Sequence, residues 1–478
     1  MKIHSRSGKQ QSTVQDRPTM VMYTCGPTVY DDSHIGNFRS FVMADSLRRW
    51  LESPLRVDNP PKVRHVMNIT DIGHLTEDDI DRMTIGISRS GMASVELVAI
   101  HYTKRFIEDA KLLNIKVASE ADNNPRLMPR ASDYIQDIID AIMSMIEVCK
   151  AYVTEDGVFF DVSSFPRHGE VAGDRLNDQP GMGGRLTFEQ AAGKRNPEDF
   201  LLWKKDFTHL MTWKSPWGRG YPGWHIECSV MASAMGHDDM TGIIDIHTGG
   251  EDNAFPHHEA ENAQSCSMFG RNPHKTVFSR HWFHVAHLQI SDKKMSKSEG
   301  TFIRIKDLTE LGVSAAAVRM FLLSAHYRTN LLYDGTRSIA QYERMLEKWR
   351  HIPAAQTTSD EFKEEFARAL DNDFNTAEAI GVVNKYLFEI SKEDWEEIER
   401  VFGLDGMFPK IQVRGNVEYR EMSDEMIHVV EPLVVLRHKA RQDKNFEESD
   451  RLRSRIAAEG FEIEDRSLGR YLVQPILG

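Results

Sequence analysis

Two periods organise the apolar positions of this chain. Met20-Val21-Met22-Tyr23 is a short apolar run that predicts a buried parallel strand, and a Cys-Gly-Pro breaker ends it. A polar turn follows and closes in His34-Ile35-Gly36-Asn37, after which Phe38, Phe41, Val42, Ala44 and Leu47 recur at helical spacing. A second strand, Val63 to Ile69, runs into Thr70-Asp71-Ile72-Gly73-His74. Strand, helix and strand in this order form a βαβ unit, so the sheet is expected to be parallel, with ligands outside the carboxyl ends of its strands.

From Thr76 the pattern turns helical, with helices expected over Val95 to Leu113 and Tyr134 to Tyr152. Ile135, Ile138, Ile139, Ile142, Met143 and Ile146 form one stripe, whose methionines read as core filling. A hairpin is expected over Ala151–Asp161 and a Gly- and Asp-rich connection over 166–197, so that 76–200 reads as an insertion between two halves of the sheet. The second half is expected to begin with a strand at Asp199 to Trp203, followed by the helix carrying His225-Ile226-Glu227-Cys228 and a buried strand at Ile243 to His247. Pro256 then stands in the first turn of a helix bearing His257, His258 and Glu261, and Trp282 to Ile290 reads as a last strand. Beyond Arg304 the chain is almost wholly helical, with a loop expected at 407–416, helix over 425–458 and a small hairpin from Phe461–Glu464 to Leu472–Val473.

Composition narrows the class. At 478 residues, 40% hydrophobic and 27% charged, the chain is an ordinary globular protein of about three domains. Its first residues, MKIHSRSGKQQS, are basic but lack an apolar run, which excludes a secretory signal and leaves a short mitochondrial-type presequence as the minor alternative. No stretch reaches the about 18 apolar residues of a membrane span, so the expectation is a cytoplasmic protein. Four scattered cysteines do not make a disulfide framework. A net charge of −13 excludes a global electrostatic grip on nucleic acid and leaves room only for a local basic face.

Three constellations carry chemistry. Cys25 follows the first strand, Cys228 lies on a helix, and His257 and Glu261 are four apart on another; such a pair projects from one helical face and can share an ion. Two thiolates, an imidazole and a carboxylate suit zinc. His258, roughly 100° round the helix, is expected to face elsewhere. On spacing alone, two inert buried cysteines and a plain helix start explain the same residues. His34 and Asn37 at a helix N-terminus could meet phosphates, or merely cap a surface turn. Lys294 and Lys297, flanking small residues in a Gly-ended loop, could clamp phosphate or form a solvated charge run.

Together these stretches resemble a known family. YTCGPTVYDDSHIGN is similar to the first signature of class I aminoacyl-tRNA synthetases, and specifically of cysteinyl-tRNA synthetases: a HIGH motif preceded by CGPTVYD. The motif covers Pro27, Thr28, Val29, Tyr30, Asp31, Asp32, Ser33, His34, Ile35, Gly36 and Asn37, with Asn37 in place of the second His. Lys294, Met295, Ser296, Lys297 and Ser298 resemble the second signature, KMSKS. NITDI (68–72), GWHIECSVMA (223–232), DIHTGGEDNAFPHHEAENAQS (245–265), SAHYR (324–328), LDNDFNTAEA (370–379) and the segment from Ala440 extend the likeness over the whole chain. Thr248 and Thr301 depart from the family pattern, which usually has Gly and Asn there.

The resemblance implies an α/β fold: a Rossmann-like parallel-sheet catalytic domain (1–305, insertion about 76–200), a helical connecting segment (306–356), a helical bundle (357–420) and a small mixed tRNA-contacting region (421–478). It implies one zinc per subunit on Cys25, Cys228, His257 and Glu261, binding the thiolate of L-cysteine and rejecting serine, whose hydroxyl is harder and less acidic. ATP, with Mg2+, would be met by His34 and Asn37 and clamped by Lys294 and Lys297. Gly26, Thr70, Trp224 and His247 would line the cysteine pocket. Arg437, Lys439, Arg441 and Lys444 would face tRNA-Cys, and the enzyme would act as a monomer. The alternatives are a cysteine ligase acting on an amino sugar, which would lack much of the C-terminal region, and a non-catalytic RNA-binding synthetase paralogue, which would tend to lose the metal set or the clamp lysines.

Overall fold

The structure, a computed structural model, describes residues 1–4, 11–74, 81–173, 193–235, 243–269, 271–290, 293–294, 302–408, 411–420, 422–465 and 470–476. The chain divides into two compact units, Met1–Leu404 and Asp405–Gly478.

The first unit is built on β1 (Thr19–Thr24), α1 (Ile35–Leu51), β2 (Lys62–Met67), α2 (Trp224–Met235), β3 (Ile244–Gly250), α3 (Glu259–Ser265) and β4 (Ser279–Val285). The four strands form one parallel sheet in the order β4-β3-β1-β2. Tyr23 on β1 pairs with Val66 on one side and with His247 on the other. The chain leaves β1 for β2 on one side and returns to β3 on the other, so the carboxyl ends of β1 and β3 flank a topological switch point, where such sheets open a crevice. α1 buries Phe38, Phe41, Val42, Leu47 and Trp50 beside the sheet. Its interior also holds Asp45, which accepts from Arg49 at 2.7 Å and Arg319 at 2.5 Å, a fully buried carboxylate compensated by two guanidiniums.

Several elements differ from the expectation. Phe200–Lys205 does not join the parallel sheet; it pairs antiparallel with Gly157–Phe160, where Phe160 stacks on Phe200 at 4.9 Å, in a sheet completed by Ala151–Val153 and Gly220–Pro222. The parallel sheet therefore resumes only after α2. The helix expected to reach Tyr152 ends at Glu147, and Cys149 reverses the chain at φ +54°. The expected strand from Trp282 to Ile290 is two. At the break, Arg39 of α1 donates to the carbonyls of Ala286, His287, His326 and Thr329 and so pins the two segments that meet there. Leu288–Ile290 then pairs with Lys293–Lys294 and Leu331–Tyr333.

Two of the motif stretches meet. Asp373 of LDNDF accepts from the Tyr327 hydroxyl at 2.6 Å and Arg328 Nε at 2.8 Å, both in SAHYR, and from the His4 N–H at 2.9 Å. The second unit packs helices Asp424–Gln442 and Phe446–Ala458 on a four-stranded sheet around Tyr419, Ile427, Val434, Ile456 and Val473. Its first strand, Ile411–Arg414, pairs with Val417–Arg420, so the expected loop at 407–416 is partly a hairpin. Among the described residues no helix is long and apolar enough to cross a membrane.

Candidate active site

A cavity of about 570 Å³ occupies the crevice at the carboxyl ends of β1 and β3. Its inner end is lined by Cys25, Cys228, Trp224 and His257, its middle by Gly26, Thr28, Tyr30 and Thr70, and its outer end by His34, Gly36, Asn37 and Phe302. Cys25 is held just past β1 because its N–H donates to the Thr248 carbonyl at 3.0 Å. Thr248, the departure from the family pattern, is buried, and its hydroxyl pairs with that of Thr24 at 2.6 Å.

At the inner end the ligand atoms of Cys25, Cys228, His257 and Glu261 lie within 4.8 Å of one another, all buried. The Cys25 thiol donates to Glu261 Oε1 at 3.4 Å, and His257 Nε2 lies 3.1 Å from the same oxygen. Burial pushes the Cys25 thiol well up, and Cys228 and Glu261 beside it add to the shift. At Cys228 the hydrogen bond from Cys25 favours the thiolate, yet burial and Glu261 leave its thiol raised too. Burial pushes the His257 imidazole down to about 3, so at neutral pH it offers a lone pair. His225 fixes which one: Nδ1 of His225 and Nδ1 of His257 are 2.7 Å apart, leaving His257 Nε2 to face the cluster. Two thiols, a neutral imidazole and a carboxylate buried close together form a donor set that fits a divalent ion with some affinity for sulfur, and zinc above the harder ions.

His247 does not line the cavity. It is fully buried behind Glu261, with Nε2 2.9 Å from Oε2, and orients the carboxylate instead. His258 does not face away: with Cys25, His247 and Glu261 it forms a second, overlapping donor set, and its Nδ1 lies 2.8 Å from His284 Nε2. Sequence reasoning missed His225, although its position three residues before Cys228 places both on one helical face.

At the outer end His34 and Asn37 cap α1 reciprocally: Asn37 N–H donates to His34 Nδ1 at 3.2 Å, and His34 N–H to Asn37 Oδ1 at 3.0 Å. Gly36 is required here, since a Cβ would meet the His34 ring at 2.9 Å. The turn is a capped helix start, and it also lines the cavity. Pro27, Thr28 and Val29 are stapled to β2's continuation, with Thr70 N–H donating to the Pro27 carbonyl and Val29 N–H to the Thr70 carbonyl, each at 3.0 Å. Asp31 pairs with Arg89 at 2.5 Å and Asp32 with Arg105 at 2.9 Å; Ser33 lines the wall, and Ile35 is buried. Lys294 belongs to the short strand Lys293–Lys294, while Met295, Ser296, Lys297 and Ser298, with Thr301, lie outside the described residues.

In the second unit Lys439 and Lys444 are exposed and Arg441 is half-buried. Arg437 is not a surface contact. It is fully buried and donates through both terminal nitrogens to Asp465 at 2.9 Å, because helix Asp424–Gln442 turns that position onto the sheet.

The family model described as tRNA synthetases class I (C) catalytic domain matches residues 11–342, and the DALR domain model matches 365–397. At the level of fold the chain is similar to the crystal structure of Mycobacterium tuberculosis methionyl-tRNA synthetase bound by methionyl-adenylate, with a TM-score of 0.52 over 80% of this chain and 88% of that one, at 13% identity. The catalytic unit is thus that of a class I aminoacyl-tRNA synthetase. The chain is 36% identical to the Cysteine--tRNA ligase of Thermococcus onnurineus (94% of this chain, 93% of that one). It is also 36% identical to Cysteine--tRNA ligase 1 of Burkholderia lata (96% and 93%), and 34% identical to the Cysteine--tRNA ligase of Thermus thermophilus (94% and 93%). It belongs to the cysteine–tRNA ligase family.

Proposed function

We propose that the protein activates L-cysteine with ATP, releasing pyrophosphate, and passes the cysteinyl group of the resulting adenylate to the 3′ end of tRNA-Cys. The observation that carries this reading is the convergence of Cys25, Cys228, His257 and Glu261, the first three lining the same cavity as the capped start of α1. Bound by these four residues, zinc supplies a soft contact for the substrate thiolate, and with it discrimination against serine.

The remaining residues position and compensate charge. His225 and His247 orient the donors around the ion site. The α1 N-terminus, with His34 and Asn37, takes the phosphates of ATP, which enters with Mg2+. Lys294 and Lys297 close on the β and γ charge as pyrophosphate leaves. Thr28 and Thr70 form the wall between the two ends, where the cysteine carboxylate must reach the α-phosphate. Lys439, Arg441 and Lys444 offer the local basic face for tRNA. As proposed, the enzyme works as a cytoplasmic monomer with one zinc per subunit.

The test is tRNA charging with cysteine and serine in parallel, with zinc measured in the same preparation. Cysteine-specific charging by protein with one zinc is expected. ATP–pyrophosphate exchange with cysteine but without tRNA charging would overturn the reading in favour of another cysteine ligase.

A further inference from the structure

Helix Arg337–Arg350 carries bare positive charge on the side turned away from the core. Ile339, Leu346 and Trp349 are buried, and the helix packs on Ala315–Leu323. On the other side Arg337, Gln341, Arg344 and Lys348 are exposed. At about 100° per residue these four positions fall within about 60° of one another, along roughly 16 Å of helix. Arg337, Arg344 and Lys348 have no ion-pair or side-chain hydrogen-bond partner among the described residues. The sequence supplies none at the usual place. Four residues on from Arg337 stands Gln341, and four on from Arg344 stands Lys348, a like-charge pair that weakens a helix. Arg337 also opens the helix, where a cation opposes the dipole; the dipole favours only Lys348, in the last turn. Glu343 is drawn off elsewhere, accepting from the Ser314 N–H at 2.6 Å and the Ser314 hydroxyl at 2.9 Å. By contrast Lys104, Lys306 and Arg400, on other helices, each meet a glutamate four residues away at 3.8, 3.6 and 3.8 Å.

We propose that this stripe binds the sugar–phosphate backbone of tRNA, as a second basic face, on the catalytic unit itself. The inference rests on the reading that the acceptor substrate is a tRNA. In a chain of net charge −13, three uncompensated cations in one line are the local feature that a polyanion can use, because its counterions are released when the cations replace them. Bound phosphates would also relieve the repulsion within the helix. Repeating charge along a strand matches cations set in a row on one helical face better than the scattered carboxylates of an acidic protein do. The place suits the substrate as well. A three-residue turn joins the helix to strand Leu331–Tyr333, and Leu331 pairs with Leu288, which lines the cavity. The stripe and the cavity wall are therefore carried by one strand pair.

The test combines Arg337→Gln, Arg344→Gln and Lys348→Gln in one zinc-loaded, full-length variant. A control combines Lys104→Gln, Lys306→Gln and Lys385→Gln, which removes the same net charge from exposed helices elsewhere in the unit. Affinity for tRNA-Cys is measured by fluorescence anisotropy at several salt concentrations. At about 0.9 per neutralised phosphate, the stripe variant should lose about 2–3 from the slope of log affinity against log salt, and bind roughly ten- to hundredfold more weakly at about 0.1 M salt. The control should keep its affinity within about twofold. A tRNA for another amino acid should weaken in the same proportion, since backbone contacts carry no sequence. In charging assays the stripe variant is expected to raise KM for tRNA more than it lowers kcat. It should unfold no earlier than wild type, because the like-charge pair is gone. An unchanged salt slope, or an equal loss in the control, would overturn the proposal and leave the stripe to an acidic protein or to solvent. A loss confined to tRNA-Cys would overturn it too, as the mark of base readout. Wild-type protein that neither binds nor charges tRNA would remove the functional reading itself, and the proposal with it.

Discussion

Asp373 gives a quantitative test of how the motif stretches hold the catalytic unit together. Its carboxylate accepts from the His4 N–H, the Tyr327 hydroxyl and the Arg328 guanidinium, and His326 Nε2 lies 3.4 Å away. Burial would raise this carboxyl, but those donors outweigh it and hold the pKa at about 2 against an ordinary 3.8. A folded value below the unfolded one means that the contribution is fully present above the unfolded pKa and is lost as pH falls through about 2. The gap corresponds to about 2 kcal/mol at neutral pH, of which roughly a quarter has gone by pH 3.5. Asp373→Asn keeps the shape, removes the charge and turns an amide toward Arg328, so a loss of about 2–4 kcal/mol is expected. Denaturant unfolding of both proteins in parallel gives the difference in stability, in which the other carboxylates cancel. That difference should narrow between pH 5 and 3.5, a window below the usual range of histidine titration. A difference under ~0.5 kcal/mol at pH 7, or one that does not change with pH, would refute the clamp.

Three further outcomes are expected. Cys228→Ser should lose zinc and cysteine binding together, because it removes one of two sulfur donors; stoichiometric zinc in that variant, by metal analysis, would contradict the donor set. Lys297→Ala should slow adenylate formation at least tenfold in single-turnover assays while leaving equilibrium cysteine affinity within about twofold; a large loss of cysteine binding would count against the clamp role. Arg437→Ala should destabilise the second unit by about 2 kcal/mol, since it empties the place of a fully buried side chain while Asp465 keeps Arg441 and Arg453 as partners, whereas Lys444→Ala should weaken tRNA affinity without changing stability. A stable Arg437→Ala protein with a selective loss of tRNA binding would restore Arg437 to the contact face.

The parts of the fold legible in the sequence were those set by local pattern. β1, α1 and β2 could be read because apolar runs, a breaker and a helical repeat follow one another within a few dozen residues. Phe200–Lys205 looks just as apolar, but nothing local says whether such a strand pairs parallel or antiparallel; its partner lies some forty residues upstream in the insertion. The break after Val285 was invisible for a similar reason, since it is set by Arg39, which is almost two hundred and fifty positions away in sequence. Donor types and the i, i+4 pair marked the ion site. The roles of the residues that orient those donors were less legible: His225 shares a helical face with Cys228 and His247 was expected in the cysteine pocket, but which atom each one faces depends on contacts between elements. Arg437 failed in the opposite direction: a basic run on a helix does not reveal which of its members turns inward.

The short stretch from Thr24 to Ile35 does more than connect the two ends of the cavity. Gly26 packs so closely on β2's continuation that a Cβ would stand 1.7 Å from the Asn68 carbonyl oxygen, and its N–H donates to Asn68 Oδ1 at 2.9 Å. Thr28 then bridges to Thr70, and at the far end the Ile35 N–H donates to the Ile303 carbonyl at 2.8 Å. Backbone contacts therefore set the separation between Cys25 and His34. If the site works as proposed, the ion end would choose which amino acid binds, and the stapled turn would fix how far its carboxylate lies from the phosphate it attacks. Serine and cysteine have the same backbone and would place their carboxylates alike, so the turn cannot tell them apart. Under the proposed function, discrimination then falls to the end where Cys25 and Cys228 are buried.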